Sequence, residues 1–391
     1  MPPSSIPDAL ASGSFAVPLR RPVLAPVVTP ISTSAAGPAC PTRTPTAPAT
    51  ATTITPAGDA ISPTRSVAPD TPPVAPRAAD APAPLVLPAD LPVVTEMSKT
   101  ASGRAWLATL PALIAEFQDR WSLRLGPPIH GGSCSWVAPA TLPDGGAAVL
   151  KLTWPHREAS GEARGLRTWA GDGAVRLLAA DQRRYALLVE RCVPGTELDD
   201  AEHLTPEARL LAAAELLRGL WSAPVPRAGL ETLATVTGEW ATLVERRMAR
   251  LAPGYDPALV AVGADLLRRL PASATRQVVV HGDFNPGNIL AAGRRPWLAI
   301  DPKPMVGDPG YDPWPLLTQL DDPFEYADPG AVLAHRYALF ADAVGEDPRR
   351  LLAWSMARAV ESALWFAAMG EVADGAEEMA QARTLATVAG L

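Results

Sequence analysis

The sequence predicts an α+β protein in two lobes, a small strand-rich one and a larger helical one, behind a Pro-rich extension. Three observations carry this. Short apolar or β-branched runs bounded by Gly, Pro and Asp recur between residues 123 and 190, as strands do. From residue 205 onward the apolar residues recur instead at helical spacing. Residues 1–96 follow neither pattern: they hold about half of the chain's 44 prolines, and Phe15 is their only aromatic residue.

The extension cannot bury enough apolar surface to offset the entropy of ordering it, so disorder is expected over 1–97, with Met97 as an alternative start. Arg20-Arg21 resembles an export signal only in passing, because prolines interrupt any apolar core after it. A Pro-rich arm is also able to dock a partner. Residues 98–192 are expected to form the small lobe and 193–391 the large one.

Within the small lobe, Trp106, Leu107, Leu110, Leu113, Ile114 and Phe117 make one helix. Strands are expected around 123–125, 134–137 and 148–152, then at 174–178 and 185–190. The turn Gly131-Gly132-Ser133 between two strands is either an ordinary hairpin tip or a row of N–H groups laid over a phosphate. Lys151 lies in an apolar strand, where an ammonium needs a charge partner. A helix over 156–169 supplies two, Glu158 and Glu162, four apart on one face; Glu162 is taken as the partner. The alternative is a strand-end lysine at the surface. Residues 191–195 read as a linker between lobes, where backbone groups at Glu190 and Cys192 would hydrogen-bond the edge of a nucleotide base; the Cys192 side chain reads as a small filler rather than a reactive thiol.

In the large lobe, Thr205-Pro206-Glu207 caps a helix with the buried stripe Leu210, Leu211, Ala214, Leu217 and Leu220. Helices are expected over 233–251, 257–270, 313–320, 330–344, 348–369 and 371–388. Between the second and third of these lies the stretch 278–301. It reads as three short strands, Val278–Val280, 289–291 and 297–300, joined by polar turns. Chemistry-capable groups sit at the strand edges: Asp283, Asn288 and Asp301. Oxygen donors of this kind suit Mg²⁺ and proton acceptance, which points to phosphoryl transfer.

Composition narrows the field. A net charge of -7 and a pI of about 5.4 exclude a phosphate-gripping nucleic-acid binder. Three scattered cysteines, Cys40, Cys134 and Cys192, form neither a disulfide framework nor a zinc site, so free thiols and the cytoplasm are expected. No apolar run is long enough to span a membrane. The basic residues are arginines except for three lysines, Lys99, Lys151 and Lys303.

His281-Gly282-Asp283-Phe284-Asn285-Pro286-Gly287-Asn288-Ile289-Leu290 resembles the signature of aminoglycoside phosphotransferases, which have a protein-kinase-like fold. Ala299-Ile300-Asp301-Pro302-Lys303-Pro304 with Gly307-Asp308-Pro309 is similar to the streptomycin 6-kinase and hydroxyurea phosphotransferase branch, and the resemblance runs from about 100 to 385. It implies Asp283 as the catalytic aspartate, Asn288 and Asp301 as Mg²⁺ ligands, and Lys151 paired with Glu162 on the phosphates of ATP. It implies a hydroxyl of a cationic aminoglycoside as acceptor, streptomycin first. Other small alcohols, hydroxyurea or a peptide antibiotic remain alternatives, as does a nucleotide-binding scaffold.

Three further readings stay open at this level. Lys303 either lies near the metal or pairs with Asp308. Trp314, Trp354, Trp365 and Phe366 are core, or one of them stacks on a sugar. The acids Asp308, Asp312, Asp321, Asp322, Glu325, Asp328 and Glu361 either draw a cationic acceptor or serve as caps and paired charges.

Overall fold

A computed structural model describes residues 87–391; the Pro-rich residues 1–86, and any docking role for them, lie outside it. The chain opens with helices α1 (Pro92–Ser98) and α2 (Ala101–Arg120), then strands β1 (Arg124–Leu125), β2 (Ser135–Thr141) and β3 (Ala147–Thr153). Helix α3 (Glu162–Trp169) follows, then β4 (Leu177–Asp181), β5 (Ala186–Glu190) and β6 (Pro194–Glu197). The first five strands form one antiparallel sheet in the order β1-β2-β3-β5-β4.

Side chains alternate across this sheet, and the alternation decides where Lys151 goes. Trp136, Ala138, Ala140, Ala148, Leu150, Leu152, Ala186 and Leu188 fill one core with α2's Trp106, Leu110, Leu113, Ile114 and Phe117. Lys151, between Leu150 and Leu152 and paired with Val137 and Leu187, therefore points to the opposite face. Leu187 there joins the second core, which α3 shares through Ala163, Leu166 and Trp169.

The expected edge of the extension is corrected. Leu91, Val93 and Met97 are buried in the α2 core, so order begins before residue 98. A side chain on Gly103 would lie 2.2 Å from the Met97 carbonyl oxygen, which is how closely α2 sits on the end of α1.

The large lobe runs through α4 (Pro206–Trp221), β7 (Glu231–Thr232), α5 (Leu233–Leu251) and α6 (Pro257–Ala272). Strands β8 (Val278–Val280), β9 (Ile289–Ala292), β10 (Trp297–Ala299) and β11 (Met305–Gly307) come next. Helices α7 (Trp314–Gln319), α8 (Pro329–Val344), α9 (Pro348–Met369) and α10 (Val372–Ala389) complete the chain. Helix α9 is buried on every side from Leu351 to Ala367 and forms the axis of the second core.

The three strands expected at 278–301 are present, but they do not share a sheet. β9 and β10 form a hairpin extended by β6, whereas β8 lies between no hairpin partners and pairs with β11, itself beside β7. β6 and β11 were not expected: Pro194 and the Pro302–Pro304 run read as breaks, yet β6 starts on Pro194 itself and β11 directly after Pro304. Helix α3 starts at Glu162 rather than 156, after a 3-10 turn at Glu158–Ser160.

Candidate active site

The lower wall of the site grows from β8. Its three valines are buried, and the chain leaves it through His281-Gly282-Asp283. Gly282 adopts φ +85°, and a Cβ there would lie 2.0 Å from the Lys303 carbonyl oxygen, so only glycine fits. Asp312 holds this turn from below, accepting from the His281 N–H at 2.9 Å, the Gly282 N–H at 2.8 Å and Trp221 Nε1 at 2.9 Å. Burial raises the Asp312 carboxyl to about 6 despite these donors.

His281 is buried and joins the two catalytic-side loops. The Asp283 N–H donates to its Nδ1 at 3.3 Å, so Nε2 carries the proton and donates to the Ile300 carbonyl at 3.0 Å. Burial depresses its pKa to about 4, which keeps the ring neutral. In return the Lys303 N–H donates to the His281 carbonyl at 2.8 Å.

Both carboxylate oxygens of Asp283 are held. Asn285 Nδ2 donates to Oδ1 at 3.1 Å, and Lys303 Nζ donates to Oδ2 at 2.8 Å. Burial pushes this carboxyl upward, but the Lys303 ammonium outweighs it and the group lies below its ordinary value. Asp283 is therefore an oriented, ionised hydrogen-bond acceptor.

Asn288 and Asp301 are the residues that would hold a metal. Asn285 Oδ1 accepts from the Asn288 N–H at 3.0 Å, and Asn288 Nδ2 donates to the Asp283 carbonyl at 2.9 Å, which leaves the Asn288 amide oxygen as the available donor atom. The Ile300 N–H donates to the Asn288 carbonyl at 2.9 Å, bringing the ends of the β9–β10 hairpin together. Asp301 takes the left-handed φ +53° and turns its carboxylate toward Lys151, with 40% of its side chain still exposed. Burial raises its pKa, yet Lys151 and Lys303 together hold it at about 2. One carboxylate and one amide oxygen are hard donors that fit Mg²⁺, an ion that completes its shell with phosphate and water. Among the described residues no group of three or more His, Cys, Asp or Glu could hold a metal without such help.

The upper wall is Lys151. Its Nζ donates to Glu162 at 2.7 and 2.8 Å and to Asp301 Oδ1 at 2.6 Å, so all three of its donors are engaged. Burial disfavours the ammonium, but Asp301 and Glu162 raise its pKa well above the lysine range. Helix α3 is seated for this pairing by its glycines: a Cβ on Gly165 would lie 2.7 Å from the Pro304 ring, and one on Gly161 3.3 Å from it. Arg157, just before the helix, ties it to the large lobe through Glu231 and Glu239.

The remaining expected site residues divide. Gly131, Gly132 and Ser133 form the open tip between β1 and β2, with Gly132 at φ +73°. Its exit residue Cys134 is close enough to feel Lys303, Asp301 and Lys151, although burial dominates and lifts the thiol to about 11. The side chains of Glu190 and Cys192 are not at the cleft. Glu190 is bound by Arg294 at 2.8 and 2.9 Å and by the Arg176 N–H at 3.0 Å, and Cys192 packs into the large core. Only backbone from this segment is left to meet a nucleotide base.

The acids of the large lobe are mostly caps and paired charges, the second of the two readings open in the sequence. Asp308 binds Arg350 and Trp354, Asp321 binds Arg336, Glu361 is buried against Arg247, and Asp322 and Asp328 cap helical turns. Asp308 is thus not the partner of Lys303. Trp314, Trp354, Trp365 and Phe366 are buried. The sequence does not announce His281 or Asp312, because their partners are backbone groups and, for Asp312, a tryptophan ninety-one residues away; the kept lysine was the one signal for Lys303.

The chain is similar to known proteins. The family described as aminoglycoside/hydroxyurea antibiotic resistance kinase matches residues 120–370. A streptomycin 6-kinase of Streptomyces glaucescens is 40% identical over 264 residues, 67% of this chain and 85% of that one. A hydroxyurea phosphotransferase of Kitasatospora aureofaciens is 37% identical over 304 residues, 78% of this chain and 87% of that one. Two solved structures share the fold at 14% identity and a TM-score of 0.51. They are the choline kinase LicA from Streptococcus pneumoniae, covering 71% of this chain and 99% of that one, and a GDP complex of aminoglycoside 2'-phosphotransferase-IIIa, covering 71% and 98%.

Proposed function

The chain belongs to the aminoglycoside/hydroxyurea antibiotic resistance kinase family, and from that premise we propose that it transfers the γ-phosphoryl group of ATP to a hydroxyl of an aminoglycoside. Streptomycin is the first choice of acceptor, and inactivation of the drug is the biological result. The observation that carries the reading is the double hold on Asp283 beside the Lys151–Glu162–Asp301 cluster. An ionised carboxylate fixed at both oxygens can accept the hydroxyl's hydrogen bond and orient its lone pair for attack.

Lys151 would bind the α- and β-phosphates, with Glu162 keeping the ammonium in place. Asn288 and Asp301 would hold magnesium, whose chemistry is to neutralise charge on the phosphates. Lys151 and Lys303 face four carboxylates, Glu162, Asp301, Asp283 and Glu158; burial lifts Glu162 to about 7, and the other three still outnumber the two ammoniums, a balance suited to a divalent cation. The Gly131-Gly132-Ser133 tip is proposed to cover the phosphates. A reaction that uses ATP is proposed to run in the cytoplasm. Among the described residues no helix is long and apolar enough to cross a membrane.

The test is mass spectrometry of streptomycin after incubation with the full chain, ATP and Mg²⁺. A single added phosphoryl group supports the reading; an unchanged drug rejects it. Hydroxyurea goes into a parallel reaction, because a hydroxyurea phosphotransferase is nearly as similar as the streptomycin kinases.

A further inference from the structure

The roles proposed above use only one donor of Lys303, the one that holds Asp283. Lys303 lies on the β10–β11 loop between Pro302 and Pro304, and its backbone is fixed on both sides. Its N–H donates to the His281 carbonyl at 2.8 Å, and its own carbonyl fills the space under Gly282. The side chain is 15% exposed and ends 2.8 Å from Asp283 Oδ2. The next carboxylate oxygen, on Glu158, is 3.8 Å away, beyond a direct hydrogen bond. An ammonium has three donors. Lys151 uses all of its three on Glu162 and Asp301, whereas Lys303 places one on Asp283.

The position of that ammonium decides what the other donors can reach. The acceptor hydroxyl must sit on Asp283 to be oriented, and the phosphoryl group must arrive at that hydroxyl. A cation on the same carboxylate is then beside the phosphoryl group in transit. Charge there is carried by three equatorial oxygens, and a fixed donor in a site that excludes water stabilises it without reorganising.

We propose that Lys303 is a further catalytic residue, donating to an equatorial oxygen of the phosphoryl group in transit while it holds Asp283 Oδ2. In the step the acceptor oxygen forms its bond to phosphorus as the bond to the ADP oxygen breaks, and the electron pair of that bond leaves on ADP. The hydroxyl proton passes to Asp283 and then to water. Lys303 keeps its protons throughout. The inference rests on Asp283 being the aspartate that orients the acceptor. It is independent of which acceptor that is.

The experiment compares the wild type with Lys303→Met and Lys303→Arg in the full chain. Turnover is read with ATP, Mg²⁺ and streptomycin, and affinity is read separately for ADP and for ADP with aluminium fluoride, a mimic of the phosphoryl group in transit. For Lys303→Met we expect kcat to fall by roughly 10²–10³-fold and the aluminium fluoride complex to weaken by a similar factor. Affinity for ADP alone should stay within about threefold, which also reports an intact fold, and Lys303→Arg should recover part of both losses. A variant that loses turnover but binds ADP–aluminium fluoride as the wild type does would overturn the proposal and leave Lys303 a positioning residue for Asp283. Undiminished kcat would overturn it outright. If Lys303→Met fails to bind ADP at all, Lys303→Arg decides: wild-type ADP affinity with a weakened fluoride complex supports the contact, and an unweakened one overturns it. Should the wild type bind the fluoride complex tightly but leave streptomycin untouched, the choice of acceptor fails and this inference stands.

Discussion

Two buried lysines face one cleft, and they are held there in opposite ways. Lys151 stands on the rigid ladder of β3, and its three donors are closed on Glu162 and Asp301. Lys303 stands on a proline-flanked loop whose backbone is pinned to His281 and Gly282, with one donor on Asp283. The first is a clamp that must release a carboxylate to take a phosphate. The second has donors in hand. In a chain whose basic residues are arginines except for these two and the exposed Lys99, both sites need a compact ammonium with donors in three directions, which a planar guanidinium does not offer.

Removing the acid that only one lysine holds should have the largest effect. Asp283→Ala should lower kcat by at least about 10³-fold, since no other described carboxylate is fixed at both oxygens in the place proposed for the hydroxyl. ATP affinity, which depends on the Lys151 side, should change little. Single-turnover rates with a fluorescent nucleotide displacement measure both. Equal losses in binding and turnover would erase the distinction between the two sides.

Breaking the clamp comes next. Lys151→Met should cost about 10²-fold in kcat/KM for ATP, and it leaves the buried Glu162 without its ammonium and beside the like charge of Asp301. Stability should drop on the order of 3 kcal/mol by urea denaturation. Lys151→Arg should restore stability in part and activity hardly at all, because a fork cannot meet Glu162 and Asp301 at the present distances.

A milder change moves the clamp without altering its chemistry. Gly165→Val would place atoms 2.7 to 2.9 Å from Pro304, and 3.1 Å from Trp169, so α3 must lift away from the Lys303 loop. Overpacking of this kind costs about 1–3 kcal/mol. Glu162 would retreat from Lys151, and kcat/KM for ATP should fall about tenfold, with turnover at saturating ATP less affected.

Much of this cleft is legible in the sequence, and the reason lies in which partners are side chains. Lys151 in an apolar strand demanded an acid, and Glu162 at helical spacing supplied it. Asp283, Asn288 and Asp301 stand at strand ends, where turn chemistry shows in Gly, Pro and Asn. Illegible were contacts to backbone: Asp312 under the His281–Gly282 turn, and the seating of Gly165 on Pro304. Short strands β6 and β11 were hidden as well, because three or four residues at or beside a proline carry no period. The ion pair of Glu190 was hidden for a related reason. Its partner Arg294 is over a hundred residues away, and nothing local distinguishes an acid facing a base from an acid facing an arginine.

The smallest effect concerns what lies beneath the lower lysine's loop, and it has a definite sign. Asp312 is fully buried, and its carboxyl is pushed up to about 6, mainly by loss of solvent, while Trp221, Gly282 and His281 pull it back. In the unfolded chain the same group loses its proton near pH 3.9. Between these values the folded state binds a proton that the unfolded state has released. Stability from this group is therefore present below about pH 4 and lost as pH rises through about 6, a change of roughly 3 kcal/mol at most. Asp301 runs the other way: with its carboxyl held at about 2, its contribution is present above about pH 4 and lost only in stronger acid. Asp312→Asn removes the titration while keeping the shape, and it sets an amide N–H against the turn's own donors, so it should be less stable at every pH. Because both proteins carry the same other acids, their difference isolates Asp312. The wild type's advantage over Asp312→Asn, measured by urea denaturation, should shrink between about pH 4 and about pH 7. An advantage that grows over that range would mean that the three N–H donors outweigh burial and that the lower wall, like the upper, is held by ionised groups alone.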